Sequence, residues 1–272
     1  MKRILYLIIS IFVLFGCSQQ NNKKEDQSQV ETVPNEAVAT TTVYPAVLAK
    51  ALAAHGGLEK WQSFGTLEYE MQKPDFSEYQ LIDLKNRKTL LITDNYKLGF
   101  DGEQAWVIPS KDAFGGKSIR FYHNLYFYFF SLPFVLADPG IEYEEMGEET
   151  VDGKAYNVLK ISYGENVGDS PEDNYICYFN KDDNMLDFIR YTVTYYSKEQ
   201  STKYNALKYD DWQEINGMKL PLNMSFYTWE DGSFGKQRSS AVFENVVFSN
   251  EVPNTVTFQK PEGAEVESNP TL

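Results

Sequence analysis

Residues 121–136 read Phe-Tyr-His-Asn-Leu-Tyr-Phe-Tyr-Phe-Phe-Ser-Leu-Pro-Phe-Val-Leu. With His123 neutral, none of these residues is charged, in a chain whose formal net charge is −14. The large side chains fall on nearly every face of a helix instead of along one stripe, and a helix that is apolar all round must be surrounded. At roughly 16 residues and about 1.5 Å per residue the run is short for a bilayer span. Ala137-Asp138-Pro139-Gly140 closes it. The remainder of the chain therefore has to wrap this segment, or the segment has to line something apolar.

On both sides the apolar period changes from that of a helix to two. Before the run, Leu67, Tyr69 and Met71 share one face, followed by Tyr79 and Leu81, residues 88–93, then Tyr96, Leu98 and Phe100, then Trp106 and Ile108. Asp101-Gly102 reads as a two-residue hairpin, and residues 109–118 read as a loop. After the run come strands over residues 156–163, 175–179, 185–196, 203–215, 220–229 and 236–248. Asp152-Gly153, Asp182-Asp183-Asn184, Asn216-Gly217 and Asp231-Gly232 mark the turns between them. The pattern predicts roughly eleven antiparallel strands in a single curved sheet, mainly β with some α, and helices over its concave face. No alternation of strand and helix marks a nucleotide-binding α/β domain, and no repeat of fixed period is visible.

Ahead of the first strand, Pro45 opens a helix whose stripe is Val47, Leu48, Ala51, Leu52 and Ala54. Gly56-Gly57 ends it. His55 falls at its C-terminus, where a cation is favoured, and reads as a capping or core residue in preference to a ligand. A short second turn from Leu58 places Trp61 on the core.

The first 17 residues read as an export signal. Lys2 and Arg3 form the basic start, residues 4–15 the apolar stretch, and Leu14-Phe15-Gly16-Cys17 the end. That last tetrad resembles the bacterial lipobox, which implies cleavage before Cys17 and acylation of its thiol. Cleavage removes Lys2 and Arg3, so the net charge of −14 becomes −16. Residues 18–43 are rich in Gln, Asn, Lys, Glu and Thr without period and read as a disordered tether. Ser18 follows Cys17 where the best-known inner-membrane retention signal has Asp. The expected address is the outer membrane, facing the periplasm before the cell surface. The folded domain is expected over residues 44–266, with a tail over 267–272.

The order of elements, together with Tyr209-Asp210-Asp211-Trp212-Gln213-Glu214-Ile215-Asn216-Gly217-Met218-Lys219-Leu220-Pro221 and the closing segments over 243–250 and 258–266, resembles the lipoprotein-carrier superfamily typified by the Lol carrier and its outer-membrane receptor. It also resembles a group of bacterial outer-membrane lipoproteins of the same layout. The resemblance implies a half-open barrel curled around an apolar cavity, with helices over the mouth. Phe121, Tyr126, Phe129, Phe130 and Phe134 would then plug or line that cavity, with Trp61 and Trp106 beside them. A solid core without a cavity satisfies the same residues. Pro133 could kink the helix into a lid that opens.

Few other chemistries survive inspection. Only Cys17 and Cys177 are present, which excludes a disulfide framework, and Cys177 falls mid-strand as a small buried hydrophobe. Two histidines, His55 and His123, argue against a histidine-rich metal site. The acidic balance disfavours nucleic acid. No G-x-S-x-G elbow occurs. Ser233-Phe234-Gly235-Lys236 matches S-x-x-K in a hairpin instead of at a helix start, and Gly115-Gly116-Lys117-Ser118 lacks the first glycine of a P-loop. Asp169, Glu172 and Asp173 share a loop without EF-hand spacing. Glu144 and Glu145 point to opposite faces of a strand. Taken with these exclusions, the two resemblances imply a non-catalytic, cofactor-free envelope lipoprotein. Its partners would be the membrane, through acylated Cys17, and an acyl chain, lipid or lipoprotein in the cavity. A tethered scaffold docking an envelope protein, and a hydrolase with an unrecognised site, are the alternatives.

Overall fold

A computed structural model describes residues 44–164 and 168–268. The export signal, Cys17 and the expected tether lie outside these residues. The described chain opens with α1 (Ala46–Ala54) and α2 (Leu58–Ser63), then runs through β1 (Thr66–Gln72), β2 (Ser77–Asp83), β3 (Thr89–Ile92), β4 (Lys97–Phe100) and β5 (Ala105–Ile108). A helical passage follows, with α3 (Lys111–Phe114), α4 (Ile119–Phe130) and a 3-10 turn (Phe134–Ala137). Seven strands come next: β6 (Ile141–Val151), β7 (Lys154–Tyr163), β8 (Tyr175–Asn180), β9 (Leu186–Tyr191), β10 (Asn205–Ile215), β11 (Met218–Glu230) and β12 (Ser233–Ser249). A second 3-10 turn (Thr255–Phe258) leads to β13 (Glu265–Glu267).

The thirteen strands form one sheet in the order β13-β5-β4-β3-β2-β1-β12-β11-β10-β9-β8-β7-β6. It is a curved, unclosed antiparallel sheet, the half-open barrel that the sequence resemblance implied. The two meanders meet at a seam where Thr66 pairs with Ser249 and Leu67 with Phe248. β5 lies one strand from one edge and β6 is the other edge. The passage between them therefore has to cross the concave face, and α4 is that passage.

Pairs directly opposite in adjacent strands share a face, so the register identifies the inner surface. It carries Leu67, Tyr69 and Met71 opposite Ile82, Gln80 and Glu78, and continues through Leu91, Leu98 and Val107. On the other meander it carries Ile161, Tyr175, Tyr191, Leu159, Cys177, Ile189 and Leu207. The apolar inner residues of β1, β2 and the second meander form one hydrophobic cluster with α1, α2, α4 and the first 3-10 turn, while Leu91, Leu98 and Val107 form a smaller one with Ala105 and Ile119. On the outer face Tyr156, Tyr178 and Phe188 pack with Trp229 and Phe234.

Three of the expected hairpins are two-residue turns with both central residues at positive φ: Asp152-Gly153 (50°, 80°), Asn216-Gly217 (51°, 71°) and Asp231-Gly232 (49°, 79°). Asp101-Gly102 instead begins a four-residue loop, because Phe100 pairs with Ala105. The Asp101 carboxylate accepts from the backbone N–H of Glu103 and of Gln104, both at 2.9 Å, and this holds the wider turn. The sheet has two strands more than the eleven expected. β6 is exposed along most of its length and shows no apolar alternation, and β13 has three residues. The strand expected over 185–196 stops at Tyr191, where the Asp173 carboxylate takes the Thr194 N–H at 2.7 Å. Within the loop expected over 109–118, Ser110 caps α3.

α1 buries Leu48, Ala51 and Leu52 as expected. His55 takes the capping and core place expected of it, as a neutral ring. It is wholly buried, its Nδ1 bonds Ala51 O at 2.8 Å, and burial lowers its pKa to about 4. Gly56, at φ 116°, lies against the β10–β11 hairpin, where a Cβ would fall 2.4 Å from Gly217 O.

Candidate functional site

The helix of the aromatic stretch starts two residues earlier than the quoted run. The Ser118 hydroxyl accepts from Phe121 N, and the Glu267 carboxylate takes both the Ser118 hydroxyl (2.5 Å) and the Ile119 N–H (3.0 Å). This arrangement satisfies backbone donors that an α-helix leaves free at its N-terminus, and it extends the folded chain through Glu267. The helix ends at Phe130, three residues before Pro133, and restarts as the 3-10 turn. Pro133 thus lies in a break between two segments, not within one kinked helix. Asn124 is the one exposed position from 119 to 136, as a helix apolar on every face requires.

α4 packs on the β3–β5 half of the concave face through Ile119, Tyr122 and His123. The other flank is incompletely filled. A cavity of about 400 Å³ lies between it and the second meander, lined by Phe121, Leu125, Tyr128, Phe129, Val135, Ile141, Tyr163 and Tyr175 among others. A second, of about 390 Å³, lies under α2 and is lined by Leu58, Trp61, Phe64, Leu84, Phe134 and Ala137. Arg87, Asp138 and Pro139 border both. The Arg87 guanidinium donates to both Asp138 oxygens at 2.7 Å, so this ion pair stands as a partition between them.

The residues expected to line a single cavity separate into four settings. Phe121 and Phe129 border the first space, Trp61 and Phe134 the second. Trp61 and Phe134 stack at 4.7 Å between ring centroids and 8° between planes. Phe130 is fully buried between Tyr69 (4.6 Å) and Phe243 (4.7 Å), and Tyr126 lies against Tyr122 and Phe226. These two belong to the packed core. Trp106 alternates with Ala105 and Val107, which face α4, and so projects from the opposite face of the sheet. There its indole N–H donates to Phe258 O at 2.8 Å, over Gly99.

Several polar residues of the site carry no sequence signal of their own. At the far end of the first cavity Arg120 is buried. It donates to Asp169 Oδ1 and Glu103 O, both at 2.9 Å, with Nε 2.8 Å from Asp169 Oδ2. His123 stacks on Phe100 at 4.3 Å and lies 3.2 Å from Thr89 Oγ1. Its burial, with Arg120 beside it, lowers its pKa to about 3, so it is neutral at neutral pH. The Tyr128 and Tyr163 hydroxyls bond one another, and burial pushes both pKa values up.

Behind α4 a polar cluster lies inside the sheet. Glu78 is fully buried on the inner face of β2, where its two oxygens accept from Gln80 Nε2 (2.7 Å) and the Tyr96 hydroxyl (2.8 Å). Gln80 Oε1 takes the Tyr69 hydroxyl at 2.6 Å. Lys73 donates to the Tyr126 hydroxyl, with its ammonium 4.3 Å from that ring's centroid. Burial raises the Glu78 pKa and lowers that of Lys73. Among the described residues no cluster of three His, Cys, Asp or Glu side chains is placed to hold a metal ion.

Residues 111–231 match a family of unknown function, DUF6503. No curated protein matches the chain in sequence. Among solved structures, the chain is similar to a DUF1329 family protein from Desulfovibrio piger, at 15% identity and a TM-score of 0.49, over 79% of this chain and 98% of that one. It is also similar to a LolA superfamily protein from Nitrosomonas europaea, at 12% identity and a TM-score of 0.48, over 77% and 97%.

Proposed function

We propose that this chain is a non-catalytic envelope lipoprotein that holds an apolar ligand, such as an acyl chain, in the cavity along the free flank of α4. The observation that carries this reading is the space of about 400 Å³ beside α4, whose aromatic and aliphatic lining is bordered by the Arg87–Asp138 and Arg120–Asp169 pairs. Such a space is within the size range of small-ligand sites, and burying apolar ligand surface contributes about 25 cal/mol per Å². Phe121 and Phe129 line the ligand directly. Trp61 and Phe134 line the neighbouring space beyond Arg87 and Asp138, and Tyr126 and Phe130 hold the helix to the sheet. Acylated Cys17 anchors the chain, by residues 18–43 as tether, to the outer membrane on its periplasmic side.

Two measurements test this. Native mass spectrometry of protein from a lipid-containing host should show a bound lipid, and Leu125→Glu, which puts a charge into the cavity wall, should remove it while the fold persists. A clean apo mass together with no uptake of a neutral apolar dye would overturn the binding reading. Labelled palmitate should enter the wild-type chain and not Cys17→Ser. A second reading, a tethered module that docks another envelope protein, is favoured by β6, an edge strand of 11 residues exposing Glu142, Glu144, Glu145 and Glu148. The apo outcome would leave that reading ahead.

A further inference from the structure

The charged groups around the first cavity are arranged in a way that bears on what it can hold. Each arginine at its border already faces its own carboxylate. Arg87 Nη2 donates to both oxygens of Asp138, and Arg120 contacts both oxygens of Asp169. Each guanidinium charge is thereby faced by a carboxylate of its own. A third carboxylate, Asp173, lines the same space, held by the Thr194 N–H at 2.7 Å. Two arginines therefore stand against three aspartates, and the remaining polar lining consists of uncharged groups such as the Tyr128–Tyr163 hydroxyl pair and neutral His123.

From this we infer that the cavity selects uncharged apolar ligands, namely fatty alcohols, acyl esters and the ester-linked chains of neutral lipids, over free fatty-acid anions of the same length. The inference rests on the binding reading above and specifies its ligand class. An anionic head entering the cavity would leave water without finding an unpaired cation among the lining residues, and it would have to break an existing ion pair to obtain one there. An unpaired buried charge is heavily penalised, and so is separating a partly buried pair. An alcohol or ester asks only for a hydrogen bond, which the tyrosine hydroxyls can supply.

The test uses the full chain carrying Cys17→Ser, so that no acyl group of its own competes. N-Phenyl-1-naphthylamine fills the cavity, and dodecanol, monododecanoylglycerol and dodecanoate displace it at pH 8, where the acid is ionised. The two neutral ligands should displace the dye at concentrations on the order of tenfold below dodecanoate. Asp138→Asn frees Arg87 and should narrow or reverse that ratio. Asp173→Asn removes the surplus carboxylate and should shift it in the same direction, so the test survives if one variant fails to fold. Dodecanoate binding as tightly as dodecanol to the unsubstituted cavity would overturn the inference while leaving the binding reading intact. So would a ratio that neither variant moves. Failure of the dye and all three ligands to bind would remove the binding reading, and the inference with it.

Discussion

Glu267, the last residue of β13, holds the first turn of the helix that Ser118 caps: its carboxylate accepts the Ser118 hydroxyl at 2.5 Å and the Ile119 N–H at 3.0 Å. The contact joins positions 149 residues apart. The C-terminal end of the described chain thus sets where the central helix begins. Glu267→Ala is expected to destabilise the fold by about 1–2 kcal/mol, as loss of a charged cap does. Hydrogen exchange should show the first-turn amides of α4 losing protection while those of its last turn keep theirs. Equal loss along the whole helix would mean that Glu267 stabilises the domain without positioning this end.

His55 and His123 make stability depend on pH in a defined direction. Both have folded pKa values below the ordinary 6.5, at about 4 and about 3. The unfolded chain therefore binds more protons below pH 6.5, and stability falls as pH drops through that window. By linkage each histidine should cost about 2 kcal/mol at pH 5 relative to pH 7. The raised pKa of Glu78 acts with the opposite sign, so the clean measurement is a difference. His55→Gln should lose less stability than wild type between pH 7 and pH 5, by about 2 kcal/mol in urea denaturation. Parallel pH profiles would show that His55 does not titrate this way.

Glu78 is expected to tolerate isosteric change better than truncation. Glu78→Ala would strand the Gln80 amide and the Tyr96 hydroxyl, at a cost of about 2–4 kcal/mol. Glu78→Gln keeps the volume and one acceptor, and should cost clearly less. If both variants unfold at the same denaturant concentration, the network does not stabilise the sheet.

Gly99 has no room for a side chain, because a Cβ there would meet the Trp106 ring at 2.3 Å. Gly99→Ala should lower stability by about 1–3 kcal/mol through overpacking. It should also change the Trp106 fluorescence without altering ligand uptake, since this ring lies on the face away from α4. A change in uptake would show that the two faces communicate.

Features fixed by a few neighbouring residues were legible before any coordinates. Asn216-Gly217 and its two counterparts bend as their residue types demand, and the charge-free run from Phe121 becomes a wrapped helix because no face of it suits water. Features defined by distant partners were not. Arg87 meets Asp138 and Arg120 meets Asp169 across 51 and 49 residues, and nothing in the local sequence pairs them. Strand parity placed Trp106 in a strand but not on a side, since which face is concave depends on where the helix lies. β6 lacks an apolar stripe because an edge strand in this sheet buries little on either face. Nothing local to Glu78 marks it for burial; only the register puts it opposite Met71, inside the sheet.

The seam between β1 and β12 also constrains how the chain can be made. Thr66 waits for Ser249 and Met71 for Phe243, so the first meander keeps an unpaired inner edge until nearly all of the polypeptide has emerged. Closure of such long loops is slow, and the open edge of β1 is meanwhile a template for misassociation. A chain cut short before β12 would therefore be a sticky half-sheet, and the long last strand serves as the stitch that makes the product safe to accumulate.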